Sequence, residues 1–73
     1  GRQGATPLLD LNVATAAELE ALPGIGEVLA ARIVEYRETH GPFSSVDQLG
    51  DVEGVTARVL EQVRPLVTVS GGR

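Results

Sequence analysis

The feature that most restricts the fold of this chain is an internal repeat with an offset of 30 residues. Residues 15–18 (TAAE) and 45–48 (SVDQ) both match the capping box, in which two side chains satisfy the first free amides of a helix. Apolar and glycine positions recur at the same offset, as Leu19 with Leu49, Leu22 with Val52, Gly24 with Gly54, and Ile25 with Val55. The chain therefore contains two copies of one helical unit.

Each copy has the pattern of a short helix, a tight connection and a longer helix. The apolar spacing predicts helices over 16–22, 26–39, 46–50 and 56–65. Gly41 and Pro42 predict the end of the second helix, and Phe43 is expected to fold back onto the core. Residues 66–69 are expected to form an extended segment across the bundle, with no sheet. The prediction is an all-α compact bundle over 8–69, with a disordered leader or tag at 1–7 and a disordered tail at 70–73.

Composition limits the function classes. A chain of 73 residues without cysteine and with a single histidine has no disulfide, no cysteine-based zinc site and little means of building a histidine-rich metal site. No apolar run approaches the roughly 20 residues of a membrane-spanning helix. The net charge of −4 argues against a basic nucleic-acid-binding stripe.

The connection "LPGIG" at 22–26 joins the first two helices. Gly24 is suited to a positive φ, Ile25 is expected to point inward, and Gly26 lets another backbone come close. Because the second helix begins here, its unpaired N–H groups and its dipole form a site for an anion such as a phosphate. This site needs no basic side chain, which weakens the objection from net charge.

The repeated pattern resembles the helix-hairpin-helix motif, and two such motifs joined through Phe43 resemble the double helix-hairpin-helix domain, a SAM-like bundle. Residues 9–69, with Asn12, "YR" at 36–37 and "GPF" at 41–43, are similar to the C-terminal domain of ComEA-type competence proteins. The resemblance implies sequence-independent binding of double-stranded DNA through backbone phosphates, other DNA-uptake proteins as partners, and an extracytoplasmic location. Membrane anchoring would then require a segment absent from this chain. The implied DNA-binding residues are Pro23, Gly24, Ile25, Gly26, Val28, Gly54, Val55, Thr56 and Arg58.

The chain departs from the family pattern in both hairpins. The first lacks the usual lysine, since Glu27, Val28 and Leu29 follow its second glycine. In the second, Thr56 replaces that glycine, although Arg58 supplies a cation. Arg32 is expected to be a solvated helix residue, His40 to lie near the carbonyls at its helix end, and Arg37 to pair with an acid on its own helix face.

Catalysis is not expected, because the carboxylates are scattered and no nucleophile–base pair is present. The sequence thus predicts a binding module with no catalytic residue, cofactor, metal site or small-molecule substrate. The alternative is a protein–protein adaptor that keeps a degenerate helix-hairpin-helix fold without binding DNA. An exposed apolar patch near residues 66–69 would favour this alternative.

Overall fold

The computed structural model describes residues 8–69, so the predicted leader (1–7) and tail (70–73) lie outside the described residues. This part of the chain is mostly helical, which confirms the predicted fold class. Its elements in chain order are β1 (Leu9–Asp10), α1 (Ala16–Glu20), α2 (Glu27–His40), a first 3₁₀ helix (Val46–Asp51), α3 (Ala57–Val63), a second 3₁₀ helix (Arg64–Leu66) and β2 (Val67–Thr68).

Helix α1 begins with the predicted capping box. The Glu18 amide donates to Thr15 Oγ1 (3.1 Å), and the Thr15 amide donates to Glu18 Oε1 (2.9 Å). The helix ends at Glu20, two residues before the predicted end, and a turn leads to Pro23. The residue before a proline avoids the helical region, which favours this earlier end.

Helix α2 is the longest element and covers Glu27–His40, one residue later at each end than the predicted 26–39. Gly41 ends it with a φ of 90°, a backbone conformation that side chains disfavour. None of the helices within residues 8–69 is long and apolar enough to span a membrane.

The third predicted helix, 46–50, is a 3₁₀ helix over Val46–Asp51 rather than an α-helix. The predicted capping box of residues 45–48 is wrong, because the Ser45 side chain makes no capping bond. Gln48 Oε1 instead accepts hydrogen bonds from the amide and the hydroxyl of Ser44 (2.8 and 3.0 Å). A 3₁₀ helix has three residues per turn, so the side chains of residues 45 and 48 do not take the relative positions that they would have at the start of an α-helix.

The fourth predicted helix, 56–65, is divided into α3 and the second 3₁₀ helix. Pro65 accounts for the change of winding, because proline has no N–H to donate to the preceding turn. The chain becomes extended at Val67, one residue later than the predicted 66–69, and the Val67 side chain is buried.

A short parallel strand pair corrects the prediction that the fold has no sheet. Leu9 pairs with Val67 and Asp10 with Thr68, and the next amide, that of Leu11, donates to Thr68 O (2.9 Å). Two-residue strands are too short to show the alternation of apolar and polar residues by which strands are recognised in a sequence.

The core confirms the 30-residue repeat in three dimensions. Leu19 and Leu49 are equivalent and both fully buried, and Phe43 lies between the copies in sequence and is also fully buried, as predicted. The buried side chains within residues 8–69 are all apolar: Leu11, Ala14, Leu19, Leu22, Ile25, Ala30, Ile33, Phe43, Leu49, Val52, Val63 and Val67.

The segment before α1 is joined to the linker between the copies by side-chain hydrogen bonds. Asn12 Nδ2 donates to Phe43 O (3.0 Å), and the Phe43 amide donates to Asn12 Oδ1 (2.6 Å).

Arg37 donates from Nη1 to Leu11 O (2.8 Å) rather than pairing with an acid on its own helix, so that prediction is wrong. Leu11 O lies in an irregular segment that leaves it without a backbone partner among residues 8–69. Because buried backbone acceptors require partners, Arg37 bonds to this carbonyl instead of to an acid. The Tyr36 ring stacks on Phe43 at 5.1 Å.

Candidate nucleic-acid interface

The first hairpin has the geometry that its sequence predicts. Gly24 has a φ of 82°, and the Ile25 amide donates to Leu22 O (3.1 Å) to close the turn. The Ile25 side chain is only 3% exposed, so its contribution to any interface is limited to the backbone. Pro23 is exposed beside it.

The start of α2 is open to solvent and has no side-chain cap. Its N-cap is Gly26, and the first helical bond is donated by the Ala30 amide to Gly26 O (2.9 Å). The amides of Glu27, Val28 and Leu29 come before that bond and have no helical carbonyl to reach. A Cβ built on Gly26 would have no atom of the described residues within 4 Å. The sequence predicted that another backbone would come close to Gly26. No backbone among residues 8–69 does so, and the space is free for an external group.

The second hairpin repeats this geometry with one chemical change. Gly54 has a φ of 98°, and the Val55 amide donates to Val52 O (3.1 Å), the counterpart of the bond in the first hairpin. Thr56 is the N-cap of α3, and its Oγ1 accepts a hydrogen bond from the Val59 amide (3.2 Å). The threonine that replaces the second glycine is therefore a helix cap. Its position directly before a helical pattern is a capping signal that could have been recognised in the sequence.

The two hairpins lie side by side, because each packs on the first two turns of the other copy's long helix. A Cβ built on Gly24 would lie 3.1 Å from Val59 Cγ2, on α3. A Cβ built on Gly54 would lie 2.6 Å from Leu29 Cδ2, on α2. The structure thus places each turn glycine against the helix that follows the other hairpin.

Three of the four arginines within residues 8–69 are engaged by the protein itself. Arg32 donates to Glu53 O (3.1 Å), Arg37 donates to Leu11 O, and Arg64 bonds to the Asp47 carboxylate. The hydrogen bond and charge of Asp47 raise the pKa of Arg64, and Glu61 adds a weaker contribution from 3.6 Å.

Arg58 is the basic side chain with no hydrogen bond or ion pair within residues 8–69, and it is exposed in the first turn of α3. Its equivalent in the first copy is Val28, an apolar side chain that is 63% exposed. Glu27 adds an acid to the first turn of α2. The two helix starts therefore share a backbone geometry but differ in charge.

An apolar groove that no helical pattern predicted lies near β1 and β2. It has a volume of about 390 Å³ and contains Leu8 (52% exposed) and Leu66 (39% exposed). Its other lining residues are Leu9, Glu18, Ala21, Leu22 and Pro65. Residues 8–69 contain no group of three His, Asp or Glu side chains placed to hold a metal ion.

Known proteins similar to this chain are larger than it is. Endonuclease/exonuclease/phosphatase family domain-containing protein 1 of Rattus norvegicus is 40% identical over 68 residues, which cover 93% of this chain and 12% of that protein. Kinesin-like protein KIF22 of Mus musculus is 48% identical over 59 residues, which cover 80% of this chain and 9% of that protein. An uncharacterized protein of Haemophilus influenzae is 46% identical over 57 residues, which cover 77% of this chain and 51% of that protein.

The similarity to these relatives thus concerns a small part of the first two and about half of the third. A family model described as "helix-hairpin-helix motif", a motif typical of nucleic-acid-binding proteins, matches residues 5–68. This match covers most of the chain and includes both hairpins, so the chain belongs to the helix-hairpin-helix family.

Proposed function

We propose that this domain binds double-stranded DNA through backbone phosphates, without reading the base sequence. The observation on which the proposal depends is the uncapped start of α2, where free amides face open space at Gly26. Free amides and the positive end of a helix dipole favour an anion, and DNA offers regularly spaced phosphates. The adjacent second hairpin supports a two-point contact with the two strands of one duplex.

The two contacts are proposed to use different chemistry. The first hairpin acts through backbone amides, since its exposed neighbours are Val28 and Glu27. The second has one amide occupied by the Thr56 hydroxyl and acts mainly through the charge of Arg58. With so few cations, we expect a dissociation constant in the weak non-specific range of about 10⁻⁴ to 10⁻⁶ M.

We also propose that the domain is a binding module and not an enzyme. No Asp, Glu or His side chain within residues 8–69 is buried, so the low-dielectric surroundings that adapt carboxylates for acid–base catalysis are missing from this part of the chain. The name of the Rattus norvegicus relative refers to an endonuclease/exonuclease/phosphatase domain, but this chain spans 12% of that protein.

The similarity to ComEA-type proteins supports a role in DNA uptake as the more specific proposal, with an extracytoplasmic location and other DNA-uptake proteins as partners. Asn12, Arg37 and Phe43 contribute to that similarity. In the structure Asn12 and Phe43 connect the N-terminal segment to the linker, and Arg37 connects the same segment to α2. They therefore support a shared fold more directly than a shared cellular role. The cellular role depends on the resemblance alone.

Binding is expected to be independent of base composition, because phosphate contacts hold no sequence information. Unlabelled duplexes of equal length and different sequence should compete equally for the domain at low salt in a fluorescence anisotropy assay. A tenfold preference for one sequence would contradict the proposal. The same incubations should contain Mg²⁺, since cleavage of the duplex would show that the domain is an enzyme.

We expect few ionic contacts between the domain and DNA phosphates, and we expect their number to fall in Arg58→Ala and to rise in Val28→Arg. Two to four phosphates engaged by charge predict a slope of about −2 to −4 for log affinity against log salt. Arg58→Ala should weaken binding and make the slope shallower by about one unit, and Val28→Arg at the equivalent position should do the reverse. Salt titrations of the three proteins test this, and a wild-type slope steeper than about −7 would reveal a basic surface of a different kind.

The protein–protein adaptor remains the second candidate because of the groove containing Leu8 and Leu66. Exposed apolar patches are frequent at sites of protein association. Folded protein that shows no affinity for any duplex at low salt would favour the adaptor.

A further inference from the structure

The contacts between the two hairpins and the two long helices are reciprocal. The Cβ position of Gly54 lies 2.6 Å from Leu29 Cδ2 and 2.9 Å from Arg32 Nη1. The Cβ position of Gly24 lies 3.1 Å from Val59 Cγ2 and 3.2 Å from Gln62 Oε1. Leu29 with Val59 and Arg32 with Gln62 are pairs at the 30-residue offset of the repeat. Each turn glycine therefore meets the same two positions of the other copy's helix.

These reciprocal contacts are chemically unequal at one position. Arg32 Nη1 donates a hydrogen bond to Glu53 O (3.1 Å), the carbonyl directly before Gly54. Glycine adopts the positive φ of this turn (98°) without strain, so the bond restricts where the turn lies rather than relieving strain. No hydrogen bond from Gln62 to the first hairpin is present among residues 8–69, where Gln62 makes only a close approach. The second hairpin is thus connected to α2 by a directional bond that the first hairpin lacks.

We propose that Arg32 is a positioning residue for DNA binding: it fixes the second hairpin and thereby sets the direction of the α3 start and of Arg58. This inference depends on the proposed function for its effect on DNA, but its effect on the hairpin does not. Arg32 is half-buried, and at least one of its guanidinium N–H groups is used by Glu53 O. It acts on the phosphate contact through the turn and makes no phosphate contact itself.

The test compares Arg32→Met, which keeps the apolar stem and removes the charge and the donor, with Arg32→Lys, which keeps both. Hydrogen exchange of two equivalent amides reports on the turns: Val55 N–H, bonded to Val52 O, and Ile25 N–H, bonded to Leu22 O. In Arg32→Met, exchange of the Val55 amide should become about three- to tenfold faster while that of Ile25 stays unchanged, because one hydrogen bond is lost. Arg32→Lys should restore most of the protection. Equal acceleration of both amides, or no change in either, would overturn the proposal.

Salt titrations of DNA affinity separate positioning from direct charge. Positioning predicts that Arg32→Met binds about two- to tenfold more weakly with an unchanged salt slope, since no phosphate contact is removed. A direct contact predicts a slope shallower by about one unit, as for Arg58→Ala, which serves as the charge control and should leave the exchange of Val55 unchanged. A shallower slope in Arg32→Met would therefore overturn the positioning role. If the wild-type domain bound no DNA, the proposed function would fail, and the exchange measurement would still decide whether Arg32 fixes the turn.

Discussion

Gly26→Val is expected to remain folded and to lose at least tenfold in DNA affinity. The backbone of Gly26 has a φ of −94°, which any residue adopts, and the space around its Cβ position is empty. The β-carbon of the valine would therefore meet no atom of the described residues within 4 Å, and the side chain would occupy the space that a phosphate needs in front of the α2 amides. A charge-assisted hydrogen bond contributes about 1.5–3 kcal/mol, and about 1.4 kcal/mol corresponds to a tenfold change in affinity.

The measurement is DNA affinity at low salt, with circular dichroism to confirm the fold. Ala31→Val is a suitable control, because it adds the same β-branched side chain to an exposed position of α2 away from its start. The control should bind DNA like the wild type. If folded Gly26→Val also binds like the wild type, "LPGIG" is a turn without a binding role, and the adaptor becomes the better explanation.

Gly54→Ala is expected to cause the largest loss of stability among single-methyl additions at the turn glycines. Its φ of 98° is unfavourable for alanine by about 1–2 kcal/mol. The new methyl group would also lie 2.6 Å from Leu29 Cδ2 and 2.9 Å from Arg32 Nη1, so that both side-chain ends must move and the bond from Arg32 to Glu53 O is disturbed. Off-rotamer side chains cost about 0.5–1.5 kcal/mol, and a lost hydrogen bond costs a similar amount. The total approaches the roughly 3–5 kcal/mol that a core of this size supplies.

Gly41→Ala separates the backbone term from the packing term. Gly41 also has a positive φ, 90°, but its Cβ position has nothing within 4 Å among the described residues. In urea denaturation followed by circular dichroism, Gly54→Ala should lose about twice as much unfolding free energy as Gly41→Ala. Equal losses would show that the second hairpin is not held against α2 as the structure indicates.

The sequence predicted the features that depend on local chemistry and on the repeat. The positive φ of Gly24 follows from its place in a tight turn, and the same conformation at Gly54 follows from the 30-residue offset. The capping box at the start of α1 was correct for the same reason, since the residues that form it are neighbours in the chain. The second box failed because the choice between α and 3₁₀ winding at residues 46–51 depends on how that segment packs.

Contacts between distant segments could not be predicted. Periodicity identifies the residues that point inward but not their partners, so the bond from Arg32 to Glu53 O and the bond from Arg37 to Leu11 O were missed. The repeat indicates that residues 24 and 54 are equivalent but not that each meets the helix of the opposite copy. The list of candidate DNA-binding residues therefore stays a prediction, whereas the contacts that hold the two hairpins in place became visible only in the structure.

If the two copies were separate chains, the reciprocal packing seen at Gly24 and Gly54 would hold them together. A chain with one copy of the unit would present a turn glycine and a long helix, and each would lack its partner. Two such chains related by a two-fold axis would satisfy both contacts at once, as in an isologous dimer. The linker between α2 and the first 3₁₀ helix makes this association intramolecular, so it no longer depends on protein concentration. Because joined copies need not be identical, the second residue of the long helix is apolar Val28 in one copy and basic Arg58 in the other.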